Sequence, residues 1–284
     1  GIQSASYEQC RTLLPRNGLE DEYSTARFLP TAGVEWSFPL AKFTTNASFI
    51  IEPRVQAVIS PEKDFSDDVF NEDSAFFEFD AVTLFDWNKS TGYDQWEDGS
   101  RLNVGLAARA NYTSGLNLSG SLGQQFRASE SLQFEPDTGL GDETSDFVGE
   151  LNAGYSNVFS MTNRFRFDDE DGTLRRLETS LRGRAGPVST GVRYVRTESP
   201  ELQADSARDE NLTASAFWKV SDRWTVGGIW REDLDAGETT TQQFTIQYDD
   251  DCTIFSLDYR RDNRFGEGLN DNVSLTFNVD IIGF

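Results

Sequence analysis

The residue types that carry out most protein chemistry are scarce in this sequence. Its 284 residues include two cysteines, Cys10 and Cys252, and no histidine. The absence of histidine removes the usual general base, the Ser-His-Asp triad and the commonest transition-metal ligand. Carboxylates are abundant, but they are scattered through corner segments, where solvated loop residues are the simplest interpretation. We therefore predict no enzymatic activity, no metal site and no cofactor.

The charge balance narrows the range of partners. The chain carries 25 basic and 48 acidic residues, a formal net charge of −23. Such a chain repels nucleic acid, so we predict no nucleic-acid partner. Eight arginines nevertheless stand at polar positions of alternating segments: Arg54, Arg109, Arg164, Arg166, Arg182, Arg184, Arg193 and Arg260. If these segments enclose a lumen, two interpretations of the eight arginines stay open. They form either a solvated and ion-paired lining of the lumen or an electrostatic lining for an anionic cargo.

Long strands are needed to position these arginines on one face, and the sequence alternates with the period of a strand. In NVSLTFNVDI, polar residues separate five apolar ones: Val273, Leu275, Phe277, Val279 and Ile281. We count about thirteen such runs, most near the ~9–11 residues that cross a bilayer with tilt. A soluble β-sandwich also alternates, but its strands are shorter, at ~5–6 residues. We therefore predict an all-β fold, a transmembrane antiparallel β-barrel.

The connections between the predicted strands alternate in length. Counted backward from the C-terminus, they run long, short, long, short, as in outer-membrane barrels, where turns are short on the periplasmic side. This pattern predicts an extracellular segment at residues 1–30 and a long extracellular loop at residues 61–99. The long loop is rich in Asp, Glu and Phe. It is interpreted either as a lid over the lumen mouth or as an exposed acidic loop.

A count of thirteen strands conflicts with the even strand number of bacterial single-chain barrels. One solution places roughly half of a larger barrel upstream of Gly1. The other solution finds a fourteenth strand within residues 1–30, where EYSTARFL is the candidate, and makes the barrel complete.

Several stretches, in this order, resemble the LptD family of lipopolysaccharide-assembly proteins. They are LPTAGVEWSFPL, FIIEPRVQAVISP, LFDWNKSTGYDQWEDGSRLNVGL and IQYDDDCTIFSLDY, and the resemblance spans essentially the whole chain. It implies a 26-stranded barrel of which these thirteen strands are the second half. It also implies that the N-terminal jelly-roll domain and the first barrel half lie outside this chain.

The resemblance implies a function in the outer membrane of a Gram-negative bacterium. The chain would help insert lipopolysaccharide into the outer leaflet, through a polar lumen and a lateral gate between strands. The last strand, with its five apolar residues named above, would be one lip of that gate. Implied partners are an LptE-like plug lipoprotein, the periplasmic Lpt bridge through the N-terminal domain, outer-membrane lipids and the barrel-assembly machinery. The alternative is a self-contained passive channel, resembling a porin or a fatty-acid transporter.

The resemblance also gives Cys252 a role. Family members often carry two adjacent cysteines at this corner, each joined to the N-terminal part, and here Asp251 stands in the first position. One disulfide from Cys252 to a cysteine upstream of Gly1 is therefore implied, with a free thiol as the alternative. Cys10 is a poor partner, because the predicted topology places it across an apolar band ~25 Å tall, whereas bridged Cα atoms lie under ~7 Å apart.

Overall fold

The structure is a computed structural model, and it describes most of the chain. The described residues are 3–7, 25–62, 77–90, 96–131, 133–134, 138–198, 208–250, 252–263 and 272–281. Cys10 lies outside them, as do residues 63–76 and 91–95 of the predicted long loop. Among the described residues, no helix is long and apolar enough to cross a membrane.

Two strands near the N-terminus form a small sheet of their own. β1 (Gln3–Tyr7) pairs with β2 (Thr25–Leu29) in antiparallel register. β2 falls within the EYSTARFL stretch, so a strand does form there. It pairs with β1, and it does not join the large sheet as the fourteen-strand alternative requires.

All other strands belong to one antiparallel sheet in which neighbours in space are neighbours in sequence. Its members are β3 (Ala32–Ser37), β4 (Leu40–Phe43), β5 (Ala47–Ile59), β6 (Arg101–Tyr112), β7 (Leu116–Arg127), β8 (Phe147–Tyr155), β9 (Phe159–Phe167), β10 (Leu174–Ala185), β11 (Val188–Glu198), β12 (Arg208–Lys219), β13 (Trp224–Asp233), β14 (Glu238–Asp249), β15 (Thr253–Asp262) and β16 (Asn272–Ile281). Strands β5 to β16 are 9 to 13 residues long, the length that crosses a bilayer with tilt.

β3 and β4 occupy a single position in this sheet. Both pair with β5, first through Ala32–Ser37 and then through Leu40–Phe43, and the pairing breaks at Phe38 and Pro39. Proline has no N–H to donate to a ladder, which accounts for the interruption. The sheet therefore has thirteen strand positions, from β3 to β16, and the predicted number and all-β antiparallel class are confirmed. Within the described residues, β3/β4 and β16 form its two ends.

The two faces of the sheet differ as the alternation predicts. One, which we call the apolar face, carries exposed hydrophobic side chains from strand after strand. On β16 the five alternating apolar residues lie on it, and Leu275 is 69% exposed. The opposite face, which we call the polar face, carries the arginines and their partners. A face this apolar and this exposed is what a lipid-facing barrel surface requires.

The connections divide between the two ends of the strands. At one end, which we call the short-turn end, they span two to four residues: 44–46, 113–115, 156–158, 186–187, 220–223 and 250–252. At the other end, the long-loop end, they include 60–100 and 128–146. This alternation agrees with the connection lengths predicted from the sequence.

The buried apolar cluster lies between loops and the sheet. A short 3₁₀ helix, Thr83–Phe85, sits in the first long loop. Phe79 and Leu84 of that loop pack with Phe134 and Leu140 of the second long loop and with Val148 at the start of β8. The two loops therefore fold onto the sheet and bury their apolar side chains there, which was not predicted from the sequence.

Candidate functional site on the polar face

All eight arginines of the predicted lumen lining occupy polar-face positions, and five of them form carboxylate pairs. Arg54 pairs with Glu35 at 2.5 Å and Arg164 with Glu150 at 2.7 Å, in each case across neighbouring strands. The remaining pairs are Arg166–Asp146 at 3.2 Å, Arg193–Glu178 at 3.0 Å and Arg260–Asp262 at 2.7 Å. Their role as a lining remains a prediction, but the pairing shows how these cations are balanced.

Three arginines of the set have no ion pair with any described residue. They are Arg109, Arg182 and Arg184. All three lie near the short-turn end of their strands, Arg109 before the 113–115 turn and the other two before the 186–187 turn. Within this set, the paired arginines lie in the middle or toward the long-loop end of their strands, and the three near the short-turn end have no carboxylate partner among the described residues.

The densest group of charges in the described chain surrounds Glu97, whose side chain is fully buried. Its carboxylate lies 2.8 Å from Arg127 Nη1, 3.4 Å from Arg101 Nε and 3.7 Å from Lys89 Nζ. The Lys89 backbone N–H also donates to this carboxylate at 3.1 Å. Because Arg101 and Arg127 belong to β6 and β7, one acidic loop residue ties two segments of the first long loop to the sheet. We call Glu97, Lys89, Arg101 and Arg127 the Glu97 cluster.

Glycines on the polar face make room for apolar loop side chains. A Cβ added at Gly123 would lie 2.3 Å from Leu84 Cδ2, and one at Gly105 would lie 3.0 Å from the Phe85 ring. The Phe85 ring also contacts Arg54, whose guanidinium carbon lies 4.3 Å from the ring centroid. The first long loop thus packs directly on the backbones of β6 and β7, because two strand residues there have no side chain.

A cavity of about 470 Å³ remains where this loop meets the sheet. Its lining combines Arg54, Arg109 and Glu150 of the sheet with Val82 and Phe85 of the loop. The loop therefore covers β5 to β8 without filling all the space beneath it.

Burial shifts the pKa of several groups in the loops, most strongly at Lys89 and Asp146. Burial lowers the pKa of Lys89 to about 8, although Glu97 opposes that shift. Burial raises the pKa of Asp146 to about 6, although Arg166 opposes it. In both groups burial disfavours the charged form and the ionic partner favours it, so the packing of the loops depends on those pairs.

The remaining predicted site residues lie at the far end of the sheet. Cys252 is exposed in the 250–252 turn between β14 and β15, and it makes no disulfide with any described residue. Its backbone N–H donates to Asp250 Oδ1 at 3.2 Å. On β16, the predicted gate residues are exposed on the apolar face, and the described part of the chain pairs this strand with β15 alone.

Known proteins similar to this chain are involved in lipopolysaccharide transport. A family model described as LptD, LPS transport system D, matches residues 2–224. The LPS-assembly protein LptD of Salmonella typhimurium is 24% identical over 94% of this chain and 37% of its own length. The proteins of the same name from Vibrio cholerae and Escherichia coli are 22% and 23% identical, each over 82% of this chain.

The chain matches only part of each of these relatives. The chain spans about a third of the length of the curated relatives, with shares of 37%, 33% and 32%. A solved structure, a triple mutant of the Rh. blastica porin, is 14% identical with a TM-score of 0.34 over 92% of both chains. Because the family model covers most of the chain, from residue 2 to residue 224, the chain belongs to the LptD family.

Proposed function

We propose that this chain is the part of an outer-membrane lipopolysaccharide-transport protein that forms one section of its barrel wall. It would help to insert lipopolysaccharide into the outer leaflet of a Gram-negative outer membrane, without making or breaking covalent bonds. The observation that carries this proposal is the two-faced sheet of thirteen strand positions in a chain of the LptD family. The sugar portion would move along the polar face while the acyl chains reach lipid on the apolar side.

The long loop gives this proposal a means of keeping the lumen closed. Residues 77–90 lie against the polar face and reach as far as β10, where Glu78 pairs with Arg176 at 2.6 Å. The Glu97 cluster ties the next described segment, which begins at Trp96, to β6 and β7. We therefore favour the interpretation of residues 61–99 as a lid over an exposed acidic loop.

The last strand is proposed as one lip of a lateral gate. β16 presents an apolar row to lipid, and the polar side of the strand continues the polar face through Thr276 and Asn278. Asn278 Nδ2 donates to Asp258 Oδ2 on β15 at 3.3 Å. A cargo with a polar head and apolar tails could pass such an edge with each part in a suitable environment.

The finer partner assignments are also part of this proposal. A plug lipoprotein resembling LptE, the periplasmic Lpt bridge and the barrel-assembly machinery are expected from the family resemblance. Cys252 is expected to form a disulfide with the N-terminal part of the full-length protein. The exposure of this thiol in a short turn makes it accessible to such a partner.

Site-specific photocrosslinking in living cells tests the proposal. The full-length protein would carry a photoreactive residue at Thr245 on the polar face of β14, or at its apolar-face neighbour Phe244 as the matched control. We expect lipopolysaccharide adducts at Thr245 that disappear when the periplasmic supply of lipopolysaccharide is depleted. The adducts at Phe244 should persist, because that residue faces resident membrane lipid.

The passive-channel alternative makes the opposite prediction. A channel would yield no lipopolysaccharide adduct at Thr245, and the purified protein would conduct ions across planar bilayers without any partner. That pair of results would replace the transport proposal by the passive-channel function.

A further inference from the structure

The polar face has a second cavity, away from the loops, at the short-turn end of β9 to β12. Its volume is about 440 Å³, and Arg182 and Arg184 of β10 line it. Serine residues line it as well: Ser160, Ser189 and Ser215 on the polar face of the strands, and Ser156 in the neighbouring turn. We call it the arginine–serine cavity. Its volume falls within the ~300–1,000 Å³ range of small-ligand sites.

Strand register places these side chains in two adjacent rows. Arg182 is opposite Ser160 on β9 and opposite Gly191 on β11, and Gly191 is opposite Ser215 on β12. In the next row, Arg184 is opposite Ser189. Residues two apart on a strand share a face, and strands lie ~4.8 Å apart. Two guanidinium groups and several hydroxyls therefore converge on one region.

Gly191 keeps the floor of the cavity open. It lies between Arg182 and Ser215 in the same row, and a Cβ added there would come within 2.9 Å of Ser215 Oγ. Any larger residue at this position would fill the space between the arginine and the serine. The glycine thus lets the Ser215 hydroxyl lie over its backbone, where Ser215 Oγ donates to Gly191 O at 3.4 Å.

The charge of the cavity is exceptional for this chain. None of its lining residues is Asp or Glu, in a sequence with 48 acidic and 25 basic residues. Neither Arg182 nor Arg184 has an ion pair with a described residue. By contrast, Arg54, Arg164 and Arg166, which lie nearer the long loops, are paired. Two like charges at successive same-face positions of one strand, with no carboxylate in the lining, favour a multiply charged anion, which relieves their repulsion.

We propose that the arginine–serine cavity binds a phosphate group. Guanidinium groups match phosphate oxygens in forked pairs, and hydroxyl groups donate to the remaining oxygens. Resting on the proposed function, we assign this phosphate to a phosphorylated glycolipid that reaches the polar face from the short-turn end. The cavity would hold the charged headgroup before the glycolipid moves on along the polar face.

The test uses the full-length protein, purified with its partners, and two probes: bisphosphorylated lipid A and the same lipid A after enzymatic removal of its phosphates. We expect the wild-type protein to bind the phosphorylated probe about tenfold more tightly or better, the ratio that one strong charge-assisted contact supplies. The double variant Arg182→Gln/Arg184→Gln should lose this preference. Equal binding of both probes by the wild type, or an unchanged preference in the folded double variant, would overturn the proposal.

Two further variants guard against a folding artefact. Arg175→Gln removes the same charge from the same strand, but Arg175 pairs with Asp168 at the long-loop end, so the preference should remain. Ser189→Asp places a carboxylate opposite Arg184 and should abolish the preference even if the double variant fails to fold. A preference that survives in Ser189→Asp contradicts the proposal.

Competition by inorganic phosphate shows whether the cavity binds free phosphate or the phosphate group of a glycolipid. If phosphate alone competes with phosphorylated lipid A at equal concentration, the cavity is a free-phosphate site and the glycolipid assignment fails. If phosphate competes only at a large excess, the glycolipid assignment stands. The photocrosslinking result at Thr245 is independent of these outcomes, so failure of the cavity proposal leaves the transport proposal intact.

Discussion

The first and second parts of the sheet differ in how their polar faces are covered. On β3 to β10, two long loops fold onto the face, and every buried residue in the described chain lies at or before Glu178. On β11 to β16, the described residues include none that is buried. There the polar face carries open networks, such as Asp258 accepting from Thr245 at 2.5 Å. Burial in this protein thus comes from the loops, because a single-layer sheet buries little by itself.

The two parts of the sheet therefore have different structural roles. The covered part has an apolar cluster and a buried charge cluster, which hold the loops in one arrangement. The uncovered part keeps its polar groups accessible to cargo, to solvent or to other parts of a longer protein. Variants that release the loops should therefore expose the polar face of the first part, as it is exposed in the second. Variants in the second part should have small effects on stability.

The largest effect is expected from Glu97→Gln. This change leaves the three cations of the Glu97 cluster without their shared carboxylate, and removal of one partner from a buried ionic group costs about 3–5 kcal/mol. The matched change in the uncovered part, Asp258→Asn, should cost within about 1 kcal/mol. Urea-dependent protease cleavage of the first long loop measures both, and equal costs would refute the difference between the two parts.

A smaller effect is expected from Gly123→Ala. The new methyl group would lie 2.3 Å from Leu84 Cδ2 and 2.5 Å from the carbonyl oxygen of Val104 on β6, and the resulting displacement of the loop and of the neighbouring strand should cost about 2 kcal/mol. The control is Gly154→Ala on β8, where the nearest atom to an added Cβ lies 3.8 Å away. Ion conductance of the reconstituted full-length protein should rise for Gly123→Ala alone. Unchanged conductance would show that Leu84 does not help to close the polar face.

The smallest effect is expected from pH, through Asp146. Its pKa is raised in the folded protein to about 6 from 3.8, so the folded state holds the proton more tightly than the unfolded state. This contribution to stability is complete below pH ~4 and is lost as pH rises through ~6, by at most about 1.4 kcal/mol per pH unit.

The same protease assay at pH 4, 5, 6 and 7 measures this dependence. Asp146→Asn should flatten the profile in that range, because the titrating group is gone. A profile that keeps its slope in Asp146→Asn would show that another carboxyl group is responsible.

The sheet was predictable from the sequence because its determinants are local. Alternation in segments such as NVSLTFNVDI indicates a strand with two different faces, and short polar segments such as DDD indicate the turns. Thirteen strands could therefore be counted without any knowledge of packing. The break at Phe38 and Pro39 also has a local cause. The EYSTARFL strand was found, but its partner was not, because pairing with Gln3–Tyr7 bridges a long intervening segment.

The loops were not predictable in the same way, because their contacts are between residues far apart in sequence. Nothing periodic in residues 77–90 indicates that Leu84 packs on Gly123, or that Glu97 sits between Lys89, Arg101 and Arg127. The available signal was the mixture of acidic and aromatic residues in the loop, which permits both a lid and a solvated segment. The role of the eight polar-face arginines remains a prediction, since lining and cargo binding place them on the same face.

The sequential order of the sheet has a consequence for how quickly the chain can fold. Each strand from β5 to β16 pairs with the strand before it in sequence, so every hairpin except the two that close residues 60–100 and 128–146 joins a short segment of chain and has a small entropic barrier. The contact between Glu78 and Arg176 is different, since it joins distant segments and requires β10 to be in place. We therefore expect the strands to pair in sequence order and the lid to dock last, in a separate slow kinetic phase.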